Sequence, residues 1–221
     1  FGGQLRARGE TASIQSYASA PLRRSQDLFL LRSRLHLAAA APDQNLKAFF
    51  QIQDSRTAGS EASVTSNEKN IDLHQAYLDI HALGGAPVDL RVGRFEMLYG
   101  DQRQISPLDW SNVGRAWDGA RLKWRLERGW VDAFATNTKE VSSARNDGHF
   151  WGLYSQCTAV AEHEFDAYLF GRDQGDGTLS NEHGTRGNLS ERTLGARMMG
   201  RRGGWHWTGE GSWQFGRRAG Q

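Results

Sequence analysis

The chain has 221 residues, room for one large domain or two small ones, with 27 Lys plus Arg against 25 Asp plus Glu and a mean hydropathy of −0.64. A net charge of +2 does not suggest a nucleic-acid binder, and a single cysteine, Cys157, excludes an intrachain disulfide. A hydrophobic share of 38% is low for a thick aliphatic core, yet eight tryptophans are too many for a disordered chain.

No run approaches the roughly 18 apolar residues of a membrane helix. Glycine is common (26), proline rare (4), and the glycines fall between short alternating runs, so the pattern predicts strands. In chain order they are 2–10, 27–39, 46–54, 70–81, 88–97, 116–126, 129–138, 148–158, 163–171, 191–201 and 204–215. Most reach the length of a tilted membrane-spanning strand. The connections 40–45, 82–87, 127–128, 159–162 and 202–203 are short, whereas 11–26, 55–69, 98–115, 139–147 and 172–190 are long and polar. Short and long alternate throughout, the asymmetry of an up-and-down outer-membrane barrel with tight turns at one end.

Side-chain alternation gives the facing. Phe29, Leu31, Leu35 and Leu37 share one face, and Arg32, Arg34 and His36 the other. Ala120, Leu122, Trp124 and Leu126 oppose Arg121, Lys123 and Arg125; Leu5 and Ala7 oppose Arg6 and Arg8; Val88, Leu90 and Val92 oppose Asp89 and Arg91. In a closed barrel facing lipid the cations line the lumen, whereas in a soluble β-protein they form a solvated face. The run GHFWGLYSQC (148–157) leaves open whether Phe150 and Tyr154 or Trp151 and Leu153 point outward.

The runs LHQAYLDI (73–80), VDLRVGRFEMLYGDQR (88–103), PLDWSNVGR (107–115) and AWDGARLKW (116–124) resemble the alginate export family of bacterial outer-membrane β-barrels. FFQIQDSR (49–56), FWGLYSQ, FDAYLFGRDQ and RTLGARMMG resemble it too, so the likeness covers most of the chain. It implies a monomeric barrel of about eighteen strands in the outer membrane, an arginine-rich lumen, and export of an anionic polysaccharide such as alginate, with periplasmic export proteins as partners. About eleven strands are visible, so residues 1–221 are expected to be a single all-β, up-and-down antiparallel domain and the N-terminal portion of a larger barrel.

The candidate lumen residues are Arg6, Arg8, Arg32, Arg34, Lys47, Arg91, Arg121, Lys123, Arg125 and Arg197, because guanidinium forks match carboxylates and cationic rings select anions. The alternative is that some only satisfy Asp54, Asp79, Asp89, Asp118, Asp132, Asp166 and Glu210. The loop after residue 97 carries constriction candidates Arg94, Asp101, Arg103, Asp109 and Arg115; the competing reading is a loop knitted by its own glycines and polar groups. Trp124, Trp205, Trp207, Trp213 and Phe215 form a candidate interfacial girdle. No cofactor or metal is expected. The run DQGDGTLSNE (173–182) has glycines where an EF-hand needs ligands, and the adjacent His163 and Glu164 point apart on a strand. No nucleophile elbow or phosphate-cradling loop is present, and the chain reads as non-catalytic. Two alternatives stay open: an uptake porin for small anionic solutes, and a soluble β-barrel binding acidic ligands. The latter requires Leu31, Leu35, Leu122 and Trp124 to be buried.

Overall fold

The computed structural model describes residues 1–15, 23–59, 68–138, 148–181 and 183–219. Eleven strands follow one another: β1 (Gly2–Gln15), β2 (Arg23–Ala40), β3 (Leu46–Gly59), β4 (Lys69–Ile80), β5 (Val88–Phe95), β6 (Trp117–Leu126), β7 (Gly129–Thr138), β8 (Gly148–Cys157), β9 (His163–Ser180), β10 (Arg186–Arg202) and β11 (Trp205–Arg218). Each pairs antiparallel with its sequence neighbour in a single sheet ordered β1 to β11. Among the described residues β1 and β11 each pair with one neighbour only.

The five tight turns predicted between strands hold, one of them containing a 3-10 turn at Leu83–Gly85. The opposite end differs from expectation. Residues 11–15, 23–26, 55–59 and most of 172–190 continue the strands, and β9 joins β10 through 181–185. These extensions are rich in Ser, Thr, Asp and Gly on both faces, so they carry no alternation. The expected loop 139–147, with 16–22 and 60–67, lies outside the described residues.

The long connection 96–116 folds back across one face of the sheet. Its Gln104 reaches Ser212 of β11 and its Arg103 reaches Glu210, while Asp109, five residues past Gln104, meets Arg6 of β1. Five extended residues span at most about 18 Å. Ten strand spacings laid flat would separate β1 and β11 by about 48 Å. Even allowing for the side chains at each end, the sheet must curl around the segment, which gives it a concave inner and a convex outer face.

The core sits in this trough. Met97, Tyr99 and Ile105 of the segment bury against Phe95, Trp117, Phe134, Tyr154, Tyr168 and Phe170 of the strands. Full burial of a side chain such as Met97 or Ile105 contributes roughly 1.5–3 kcal/mol, enough to pin this half of the segment. The β8 ambiguity resolves the same way: Tyr154 is buried in the trough with Phe150 packed against the core, and Leu153 is exposed outside.

Candidate functional site

Register partners share a face, so pairing fixes the facing of every candidate. Arg6 lies opposite Arg32, Arg34 opposite Gln53, Lys47 opposite Asp79, Arg91 opposite Arg121, Lys123 opposite Asp132 and Arg197 opposite Asp166. With Arg8 and Arg125, two residues along their strands from Arg6 and Lys123, all ten cations stand on the inner face.

Their surroundings divide them. Arg91 forms a fork to Asp79 at 2.7 and 2.8 Å, Arg125 is 3.2 Å from Asp89, and Arg121 is 3.8 Å from the fully buried Asp132. Lys123 lies 3.8 Å from the centre of the Trp130 ring. Arg197 contacts Glu164, Asp166 and Asp101 between 2.8 and 3.2 Å. Tyr99, Tyr154 and Tyr168 donate to Asp132, Asp166 and Glu210 on the same wall. The β7–β11 side is therefore rich in carboxylates and rings, and Arg197 on it is held by carboxylates.

The β1–β2 wall is different. Arg6 donates to the carbonyls of Asp109 and Ser111, and Arg8 to that of Trp110. Arg32 donates to the carbonyls of Asp109 and Ser111 and to the Asp109 carboxylate at 2.8 Å. Arg34 reaches the same carboxylate oxygen at 3.4 Å, Glu96 at 3.3 Å and His74 at 2.9 Å. Arg8 also pairs with Glu10. Much of the hydrogen bonding of Arg6, Arg8 and Arg32 is thus to neutral carbonyls, whereas Arg34 is held by carboxylates, Gln53 and His74. Partial burial alone would raise the Asp109 carboxyl, but the charges of Arg32, Arg34 and Arg6 outweigh it and hold the pKa below the ordinary 3.8.

Residues 96–116 are thus a strap with two ends of different chemistry. Asp101 and Arg103 engage Arg197, Thr208 and Glu210 at the β10–β11 side, and Asp109 engages the β1–β2 arginines. Between them Leu108 takes φ +52°, a left-handed conformation that disfavours a branched side chain by about 1–3 kcal/mol. Past the tip, Ser55 donates to the Asn112 carbonyl, Gln53 to that of Val113, and the fully buried Asn112 donates to the carbonyls of Leu31 and Arg56.

Two expectations about the loop need correction. Arg94 does not belong to the strap: it sits on β5 facing outward, forked onto Asp118 at 2.7 Å on each arm. The intervening Gly93 and Phe95 take the inner positions, which leaves Arg94 the outer one. Asp118 and Asp54 likewise pair on the outer face, with Arg94 and Arg56, and not across the trough. Arg115 lies at the strap's end, 5.8 Å from the Trp117 ring centre, and does not join the Asp109 cluster.

Sequence reasoning missed Gln53, Ser55, His74, Glu96, Tyr99 and Asn112. Gln51, Gln53 and Ser55 alternate along β3, a readable sign of a polar inner face; nothing marks Asn112.

On the outer face Leu35 is 62%, Leu122 43% and Trp124 56% exposed, with Trp205, Trp207, Trp213 and Phe215 beside other uncovered apolar side chains. Long antiparallel strands, apolar outside and charged within, with a connection laid across the inner face, define an all-β protein of the channel-wall class. The family model described as alginate export matches residues 1–221, and the chain belongs to that family. The family consists of outer-membrane polysaccharide export channels, not enzymes. Comparison with curated proteins returns no match.

Proposed function

We propose that the protein is an outer-membrane channel through which an anionic polysaccharide, a polyuronate such as alginate, is exported. The observation that carries this reading is the opposition of the two faces. The outer face displays Leu35, Leu122, Trp124 and Trp213 uncovered, as lipid contact requires, while ten cationic side chains stand on the inner one. A soluble β-barrel would bury Leu35, Leu122 and Trp124 together with Leu31, which is half-buried here.

Within the trough the substrate path follows the β1–β2 wall, where Arg6, Arg8 and Arg32 are held largely by carbonyls and Arg34 stands beside them. The remaining candidates, Lys47, Arg91, Arg121, Lys123, Arg125 and Arg197, balance the carboxylates beside them and set the field around the path. Asp101, Arg103 and Asp109 narrow it. Trp124, Trp205 and Trp207 sit at headgroup level at the turn end, and Trp213 and Phe215 at the other. The channel works as a monomer with periplasmic export proteins delivering the chain.

Liposomes containing the full-length protein and loaded with fluorescent oligouronates test the reading. Release of the oligouronate but not of a neutral oligosaccharide of equal length is expected. Equal release of both would overturn it. Faster passage of small anions than of any oligouronate would favour an uptake porin.

A further inference from the structure

Arg6 and Arg32 are directly opposed across the β1–β2 ladder, an arrangement that is repulsive unless an acceptor lies between. What lies between them is the strap tip, residues 108–111, which offers one carboxylate and three neutral oxygens: Oδ1 of Asp109 and the carbonyls of Asp109, Trp110 and Ser111. A uronate residue offers the same set, one carboxylate among neutral hydroxyl and ring oxygens, and guanidinium forks donate to both. Arg6 Nε and Arg32 Nε are buried with no acceptor among the described residues, so the tip does not satisfy the site completely.

The tip is also held by hydrogen bonds more than by apolar packing, with Ser111 buried at its far end. Trp110 is 70% exposed and no residue of 106–116 joins the hydrophobic core, whereas Met97, Tyr99 and Ile105 on one side and the fully buried Asn112 on the other are anchored independently. Leu108 enters the tip in a left-handed conformation, which is strained for a leucine.

We propose that residues 108–111 are an internal occupant of a uronate-binding site. Asp109 stands where a substrate carboxylate binds to Arg32 and Arg34, and an arriving polyuronate displaces the tip while both anchors of the strap stay in place. The proposal rests on the export reading above and adds the regulation of that path: the empty channel is closed at this point by a mimic of its own cargo, and anionic chains open it where neutral ones do not.

The test uses the full-length protein with Cys157→Ser and a nitroxide label on Trp110→Cys, and as probes a uronate hexamer and a neutral glucose hexamer. Separately, Asp109→Asn is compared with the wild type for block of channel current by the uronate hexamer. The label is expected to gain mobility with the uronate and not with the glucose oligomer. Removing the internal competitor is expected to lower the half-blocking concentration by about fivefold or more, the usual scale of a coupling between two ligands. If the uronate hexamer blocks the wild-type channel while the label stays fixed and Asp109→Asn changes nothing, the mimic is refuted and the export reading stands. If the hexamer neither binds nor blocks, the export reading fails and this proposal falls with it. The label experiment keeps Asp109 intact, so poor folding of Asp109→Asn does not impair it.

Discussion

Arg32 and Asp109 are joined by a 2.8 Å ion pair across 77 residues of chain, the guanidinium without exposed side-chain surface and the carboxylate 59% exposed. One partner is fixed in the wall and the other sits at the solvent edge of a strap.

That asymmetry gives a pH dependence. Arg6, Arg32 and Arg34 face Asp109 from β1 and β2, with His74 and Glu96 beside Arg34. A carboxyl whose folded pKa is lowered stabilises the seated tip above its ordinary value of 3.8 and loses that contribution as the pH falls through the lower folded value. A label at residue 110 is expected to stay immobile at neutral pH and gain mobility only below about pH 3.8. Asp109→Asn is expected to show the mobile signal already at neutral pH.

The outer face makes a separate prediction. Leu122 lies on β6 between Ala120 and Trp124 and is 43% exposed. Leu122→Arg is expected to destabilise the protein by about 2–4 kcal/mol in lipid, the range for a cation near the bilayer midplane, whereas on a water-facing surface the change stays within about 0.5 kcal/mol. Urea unfolding from bilayers distinguishes the two.

Strap anchoring depends on Tyr99. Its hydroxyl donates at 3.0 Å to the Asp132 carboxylate, whose side chain is fully buried and whose other oxygen has no hydrogen-bond partner among the described residues. Burial, reinforced by the Asp132 charge, pushes the tyrosine pKa up, so it remains a donor at any working pH. Tyr99→Phe removes a hydrogen bond to a charged acceptor and is expected to lower stability by about 1.5–3 kcal/mol in the same unfolding assay.

Two glycines should respond in opposite ways. Gly93 has φ +129°, and a Cβ there would lie 2.2 Å from the Ala76 carbonyl oxygen, so Gly93→Ala is expected to destabilise by about 1–3 kcal/mol. Gly209, on the outer face of β11 between the pairs Trp205–Trp207 and Trp213–Phe215, has nothing within 4 Å of such a Cβ. Gly209→Ala is expected to be neutral within about 0.5 kcal/mol, or slightly stabilising through lower unfolded-chain entropy.

The strand order and the facing of β2 and β6 were legible because Arg32 and Arg34, or Arg121 and Arg125, alternate with leucines and a tryptophan. On β8 both faces carry rings, Phe150 and Tyr154 inside and Trp151 outside, so period alone cannot orient it. The strap was half legible. Its Gly100, Asp101 and Ser106-Pro107 read as an ordinary solvated loop, and the clue to its inward fold is the buried spacing of Met97, Tyr99 and Ile105, which resembles a short strand's end. What separates the β1–β2 arginines from the others is their partners. Their partners at the strap tip lie about 75 to 105 residues away in the chain, a distance that no local pattern encodes.

Single-channel current through the full-length protein in planar bilayers, with polyuronate as blocker, tests the cationic path most directly. Anion preference and polyuronate block are predicted for the wild type. Both should weaken more when Arg6, Arg32 and Arg34 are replaced together by Gln than when Arg121, Lys123 and Arg125 are, because the latter are already engaged by Asp132, the Trp130 ring and Asp89. A channel without anion preference, unchanged by either triple replacement, would contradict the account.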